Sequence, residues 1–328
     1  MADINAPGYM LSTAQVPLRE RLKSVPTPLG GLGLATASLG GTWALYAPRF
    51  AEQSKLLAAL IGGLFILLVV SKFVVNSKLL KEDISHPVAG SIMPTIAMGT
   101  MVVAAALLPY VPVFARGLWL TAIVAHVALL FFFAVYRIRE FRMEHMVPSW
   151  FVPPVGIIVA AVTCKGMGYD ALVHAIFYFG LVAYLIKLPL MMYRLIFKDC
   201  IPQAALPTIA IMGAPASLTL AGYLAAFEEP NLILVGALVP LALFMTMLVY
   251  VAFFKLLRLP FSPGYAAFTF PMVIGATAMF KFAALIQSEV PAHIYHLFYG
   301  VAVFEMYIAS AIVFYVALRY GMHYLIRR

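Results

Sequence analysis

The stretch FPMVIGATAMF, residues 270–280, is an uncharged apolar run with a proline near its start, and four other parts of the chain repeat its design. The counterparts are GLGLATASLGG (31–41), MPTIAMGTMVV (93–103), PPVGIIVAAVT (153–163) and APASLTLAGYL (214–224). In every copy small residues follow a helix-breaking residue, at steps of 61, 60, 61 and 56 positions: Gly33, Pro94, Pro154, Pro215 and Pro271. A period this regular predicts five copies of one helical hairpin.

Composition assigns these hairpins to a membrane, because 64% of the 328 residues are hydrophobic and only 11% are charged. Apolar runs of about 20 residues match the thickness of a bilayer. The sequence therefore predicts an all-α polytopic membrane protein with ten transmembrane helices. The predicted spans lie near residues 28–48, 56–76, 87–109, 117–137, 148–164, 172–193, 204–226, 231–254, 263–286 and 294–318.

Charge distribution sets the predicted topology. With the N-terminus inside, 17 of the 22 Lys and Arg residues fall on the cytoplasmic side, as the positive-inside rule requires. The other side keeps Arg49, Lys55, Arg116, Lys165 and Lys281. We expect a multi-pass protein of the inner (plasma) membrane with cytoplasmic tails at residues 1–24 and 323–328 and a transmembrane domain at 25–322. The net charge of +9 is spread over these loops, so it does not indicate nucleic-acid binding.

The breaks also predict how the spans are arranged. A proline inside a transmembrane helix frees a backbone carbonyl, which lipid cannot satisfy. We therefore expect the five odd spans to form an inner ring around a central pore, surrounded by the even spans. The alternative is that Pro and Gly are simply common in membrane helices, and the even spans do contain Pro189 and Pro240.

Four longer strings carry a family resemblance: HPVAGSIMPTIAMGT (86–100), VPSWFVPPVGIIVAA (147–161), IPQAALPTIAIMGAPASLTLAGYL (201–224) and PGYAAFTFPMVIGATA (263–278). Together with the five hairpins they resemble the tellurite-resistance/dicarboxylate transporter family, which includes bacterial TehA proteins and plant slow-type anion channels. The resemblance implies a homotrimer with one pore in each protomer, lined by the odd spans. It also implies a phenylalanine gate in the ninth span, which maps to Phe270 in AFTFP.

Phe270 is distinctive without the family as well. Of the five residues directly before the breaks, it is the only aromatic one; the others are Leu32, Met93, Pro153 and Ala214. A ring that projects into an apolar pore makes a hydrophobic constriction, which stops ions sterically or by dewetting. The alternative is a core phenylalanine that only packs between helices.

Charges at membrane depth are few. Lys281, near the outer end, is the only charge in the odd spans, which favours weak binding of monovalent anions over tight recognition of dicarboxylates. Two even-span charges have an uncertain role. Lys187 is close enough to the interface to snorkel, whereas Glu305 lies near mid-membrane, where it could be protonated, pair with Lys187 or His126, lie at a trimer interface, or couple protons to a carrier.

These observations predict a gated anion channel for chloride- or nitrate-sized ions. The alternative is a secondary carrier for tellurite, sulfite or C4-dicarboxylates such as malate, with or without coupling to protons. Under either function, the expected partners of the protein are small inorganic or organic anions, the lipid bilayer and two further copies of the chain. Catalytic motifs are absent, and His174, His293 and His296 match no site spacing, so we expect no enzyme activity, metal or cofactor.

Overall fold

The computed structural model describes residues 17–326, so that residues 1–16 and 327–328 lie outside the described part. Between those limits every regular element is helical, and eight helices are long and apolar enough to cross a membrane. The predicted all-α membrane fold is therefore confirmed. Only the last part of the predicted N-terminal tail is described, and it contains the short helix Leu18–Lys23.

Ten helical segments coincide with the ten predicted spans. We number them 1 to 10: Leu29–Tyr46, Ala51–Val75, Ala89–Leu107, Pro112–Arg139, Pro148–Val162, Asp170–Phe197, Gln203–Ala226, Leu232–Leu256, Pro263–Ile286 and Ala292–Gly321. Spans 1 and 5 are not among the eight: span 1 is rich in glycine and span 5 is short. Span 5 is buried along nearly its whole length, so it does not need a lipid-facing surface.

Burial separates the odd spans from the even ones. In the most apolar stretch of spans 3, 7 and 9, 67%, 78% and 67% of residues are buried, against 28% to 39% in spans 2, 4, 6, 8 and 10. Spans 1 and 5 are also mostly buried. The odd spans therefore form the interior and the even spans surround them, as predicted.

The inner spans change helix type where the sequence predicted breaks. Span 7 is a 3₁₀ helix over Gln203–Gly213 and becomes an α-helix at Ala214–Ala226, and span 9 changes in the same way between Phe268 and Thr269. Span 5 alternates between the two types around Pro153 and Pro154. In span 3 the α-helix is interrupted at Met93, directly before Pro94.

The predicted break at Gly33 needs correction, because span 1 is an uninterrupted α-helix. Glycine keeps its backbone N–H, so the hydrogen-bond ladder continues through it, unlike at a proline. Gly33 instead permits close contact with span 2: a Cβ added there would lie 2.8 Å from the carbonyl oxygen of Gly62. Its function in the fold is helix packing.

A short helix at the predicted cytoplasmic face, Ser77–Ser85, joins spans 2 and 3. It is held by a mostly buried ion pair, in which Lys72 Nζ lies 2.9 Å from Asp83 Oδ2. Both side chains also hydrogen bond to Thr27, directly before span 1. This network fixes the inner ends of spans 1, 2 and 3 relative to one another.

Candidate functional site

A small cavity lies on the axis of the inner ring. It has a volume of about 50 Å³, and all five odd spans contribute to its wall. Representative lining residues, in order of spans 1, 3, 5, 7 and 9, are Gly31, Met98, Val155, Leu218 and Phe270. The hairpin repeat therefore brings together five distant parts of the sequence around one space.

The wall of this cavity is almost entirely apolar. Thr95 is the only lining residue with a polar side chain, and its Oγ1 donates to the Ile92 carbonyl at 2.8 Å. No lining residue is charged. An anion inside would find no side-chain ligand, so the cavity can limit passage but cannot bind an anion strongly.

Phe270 lies in this wall where span 9 has just changed from a 3₁₀ helix to an α-helix. Its neighbour Pro271 also lines the cavity and has no N–H for the carbonyl four residues earlier, which belongs to Ala267. The side chain is 8% exposed and belongs to the hydrophobic core. The structure thus places Phe270 in the wall of the cavity, and its role as a gate stays a prediction.

One face of span 9 continues from Phe270 towards the outer end. Ile274, Thr277 and Lys281 follow at intervals of four, three and four residues, which keeps them on the same side of an α-helix. Thr277 Oγ1 lies 2.7 Å from Thr42 Oγ1 of span 1, a bond that joins two inner spans above the cavity.

Lys281 is part of a cationic group that the sequence did not reveal. It interacts electrostatically with Lys55 of span 2 and Lys165 after span 5, and none of the three has an ion-pair partner in the part of the chain that the structure describes. Lys55, Lys165 and Lys281 are more than 100 residues apart in the sequence, so only the fold brings them together. This group places three positive charges near the predicted outer end of span 9.

Hydroxyl and indole groups fix the opposite, inner end. Ser91 Oγ and Ser149 Oγ lie 2.7 Å apart between spans 3 and 5, and both residues are fully buried. Trp150 Nε1 donates to the Pro87 carbonyl at 3.0 Å. These contacts hold the start of span 5 against the segment that leads into span 3.

Lys187 has a specific structural partner. Its Nζ donates to the Trp150 carbonyl at 2.8 Å and lies 5.8 Å from the centre of the indole ring. Trp150 is four residues before Pro154, so this is the carbonyl that the proline leaves without a helical donor. The sequence contains a signal for this contact: an intramembrane lysine in the span that follows a Pro-Pro pair.

His126 has an equivalent role from span 4. Its fully buried ring uses Nε2 to donate to the Pro153 carbonyl at 2.8 Å, and Nδ1 has no partner in the described structure. Outer spans 4 and 6 therefore supply hydrogen-bond donors to the irregular backbone of span 5.

Glu305 pairs with neither of the partners considered for it, since Lys187 and His126 both contact span 5. It is 4% exposed, and its Oε2 has no hydrogen-bond partner in the described part of the chain. Over the same residues no group of three His, Cys, Asp or Glu side chains is close enough to hold a metal ion.

Comparisons with known proteins agree with this architecture. Residues 26–315 match the family described as voltage-dependent anion channel (SLAC1). Two relatives from Methanocaldococcus jannaschii carry the name uncharacterized transporter. MJ0762 is 25% identical over 258 residues, which are 69% of this chain and 75% of the relative. MJ0576 is 26% identical over 224 residues, which are 58% of this chain and 62% of the relative.

Proposed function

Because the chain belongs to the voltage-dependent anion channel family, we propose that it is a gated channel for small inorganic anions such as chloride or nitrate, closed by Phe270. The observation that carries this proposal is the uncharged, apolar cavity between all five odd spans, with Phe270 in its wall. A space of about 50 Å³ holds one or two water molecules but not a hydrated anion. A hydrated ion can pass only if the wall moves.

The chemistry of the wall supports poor discrimination among small anions. With no cation or free donor in the lining, permeant ions would be ranked by the ease of losing water. The group of Lys55, Lys165 and Lys281 would raise the local anion concentration at the predicted outer end without creating a deep binding site.

The proposal extends to assembly and location. We propose a homotrimer in the inner membrane, with a complete pore in each protomer and both termini in the cytoplasm. The single chain already supplies five pore-lining spans, so a neighbouring copy need not complete the conduction path. Large exposed apolar side chains on the even spans provide surface for lipid and for neighbouring copies.

A secondary carrier for tellurite, sulfite or a C4-dicarboxylate is the second candidate. The observation that favours it is the name transporter carried by both relatives. A carrier saturates with substrate and follows coupled gradients, whereas channel current follows the electrochemical driving force.

The decisive experiment compares the native protein with Phe270→Ala in liposomes that contain chloride, nitrate or malate gradients. We expect the loss of the ring to lower the barrier to chloride and nitrate permeation and to increase their flux by about tenfold or more. A tenfold increase corresponds to a barrier lower by ~1.4 kcal/mol. Phe268→Ala is the matched control. Phe268 is fully buried against Phe253 and Tyr265 but does not line the cavity, so its removal should cost stability without opening the pore.

Equal fluxes in the native protein and Phe270→Ala, with saturable malate or tellurite uptake by the native form, would reject the channel and favour the carrier. An equal gain in Phe268→Ala would show that general loosening of span 9, rather than removal of a plug, increases the flux.

A further inference from the structure

Two buried polar atoms in spans 8 and 10 have no hydrogen-bond partner among the residues that the structure describes. Glu305 Oε2 in span 10 and Tyr250 Oη in span 8 make no hydrogen bond within residues 17–326, and Tyr250 interacts electrostatically with Glu305. Buried polar groups are nearly always hydrogen bonded, so two neighbouring exceptions need an explanation.

The Glu305 carboxyl lies against span 9, which carries Phe270. A Cβ added at Gly275 would be 3.1 Å from Glu305 Oε2 and 3.6 Å from Thr246 Oγ1. Thr246 and Tyr250 are four residues apart and therefore share one face of span 8. The Glu305 carboxyl and the Thr246 hydroxyl thus meet at Gly275 behind span 9, one helical turn beyond Pro271, and Tyr250 follows Thr246 by one turn of span 8.

No cation neutralises this cluster in the described structure. The cationic groups of the surrounding spans have other neighbours: Lys281 interacts with Lys55 and Lys165, Lys187 with Trp150, and Arg319 with Phe261, Tyr265 and Tyr315. Of the titratable groups on span 1, Tyr46 contacts Tyr307 and Phe280, nearer the outer end. Tyr250 is therefore the titratable side chain that accompanies Glu305.

We propose that Glu305, Tyr250 and Thr246 form an intramembrane proton site behind span 9, and that release of this proton favours opening of the pore. An unpaired carboxylate in a dry site costs several kcal/mol, so the packed state requires the neutral acid. The neutral acid carries an O–H, and Thr246 Oγ1 is the hydroxyl that lies with it against Gly275. The proton of the acid comes from water and returns to water, and no other reactant is needed.

Ionisation would bring water to Glu305, which the packed arrangement excludes. Because Gly275 has no side chain between its backbone and the carboxyl, water that enters beside Glu305 would contact span 9 directly, and we expect it to displace this span. The observed arrangement has Phe270 in the cavity wall and Glu305 buried. It thus binds the proton more tightly than an arrangement in which Glu305 is hydrated. By linkage, raising the pH shifts the population towards the hydrated arrangement.

The proton site can be tested without conduction. Infrared spectra of the native protein and Glu305→Gln in lipid, recorded over a pH series, should differ by one carboxylic-acid carbonyl band that disappears as the pH rises. Tyr250→Phe should keep this band but change its frequency and its titration midpoint. If Glu305→Gln removes no titrating band, the proton site is wrong.

The link to the gate rests on the channel function proposed above and is tested by chloride flux at equal pH on both sides. Native flux should rise about tenfold or more from acid to alkaline pH, whereas Glu305→Gln should stay low and independent of pH. Phe270→Ala, which lacks the plug, should be high at every pH.

Each failure has a separate meaning. No flux through Phe270→Ala at any pH would reject the channel and leave the infrared test of the proton site intact. The same pH dependence in the native protein and Glu305→Gln would reject the coupling. A change that follows replacement of Na⁺ by choline, and not the pH, would reject the proton in favour of a metal cation.

Discussion

Side chains of the outer spans hydrogen bond to backbone carbonyls of span 5. The proline at position 154 leaves the Trp150 carbonyl without a helical donor, and Lys187 Nζ occupies that place at 2.8 Å. Lys187→Met keeps the apolar stem but removes the donor, which should lower the free energy of unfolding by ~1–3 kcal/mol, the cost of an unsatisfied buried carbonyl. Thermal unfolding in detergent micelles measures the loss.

The control for this prediction is Lys187→Gln, which carries an uncharged donor on a shorter side chain. If hydrogen bonding to Trp150 is the role of Lys187, glutamine should recover part of the stability that methionine loses. If Lys187→Met is as stable as the native protein, the lysine has no structural role there.

For single residues, the sequence predicted which positions matter, but it did not predict which groups they contact. Phe270 stood out as the only aromatic residue before a break, and the structure places it in the cavity wall. The partner of Lys187 was not predicted, because the Pro-Pro pair indicates a freed carbonyl but the sequence does not show which side chain of another span reaches it. The cluster of Lys55, Lys165 and Lys281 joins distant hairpins, which no local pattern can reveal.

Among the helices, the contact between spans 1 and 2 depends on glycine. A Cβ at Gly62 would lie 2.4 Å from the Gly33 carbonyl oxygen and 2.8 Å from the Ala37 nitrogen, distances at which backbone must move. Gly62→Ala should therefore separate the two spans and destabilise the protein by ~1–3 kcal/mol, as overpacking does.

The adjacent residue provides a matched control. A Cβ at Gly63 would meet only Val103 methyl groups at 3.7 and 3.9 Å, which is ordinary packing. Gly63→Ala should be neutral or slightly stabilising, because alanine favours a helix. Comparing the melting temperatures of the two variants tests the prediction, and equal losses in both would contradict it.

The helices themselves were largely predictable, because long apolar runs and positive loops determine where a chain crosses a bilayer. The predicted span 263–286 coincides with Pro263–Ile286. The 3₁₀ segments of spans 5, 7 and 9 were not predicted, because residue type separates 3₁₀ from α-helical backbone poorly. Gly33 was assigned to a break because glycine both breaks helices and permits close packing, and only contact with Gly62 distinguishes the two.

For the whole molecule, the fold does not determine the orientation in the membrane, and the predicted orientation rests on the distribution of Lys and Arg residues. The predicted cytoplasmic side contains the loop between spans 6 and 7, where Cys200 is exposed. A membrane-impermeant maleimide should therefore label Cys200 in lysed cells or inverted vesicles but not in intact spheroplasts. Cys164, the other cysteine, is buried and should be replaced by alanine, so that one thiol gives the whole signal.

The control moves this thiol to the other side. Cys200→Ser combined with Ser288→Cys places it between spans 9 and 10, at an exposed position on the predicted outer side. This variant should react in intact spheroplasts. Labelling of Cys200 and protection of Ser288→Cys in intact spheroplasts would invert the topology. The group of Lys55, Lys165 and Lys281 would then face the cytoplasm and attract anions that leave the cell, not anions that enter it.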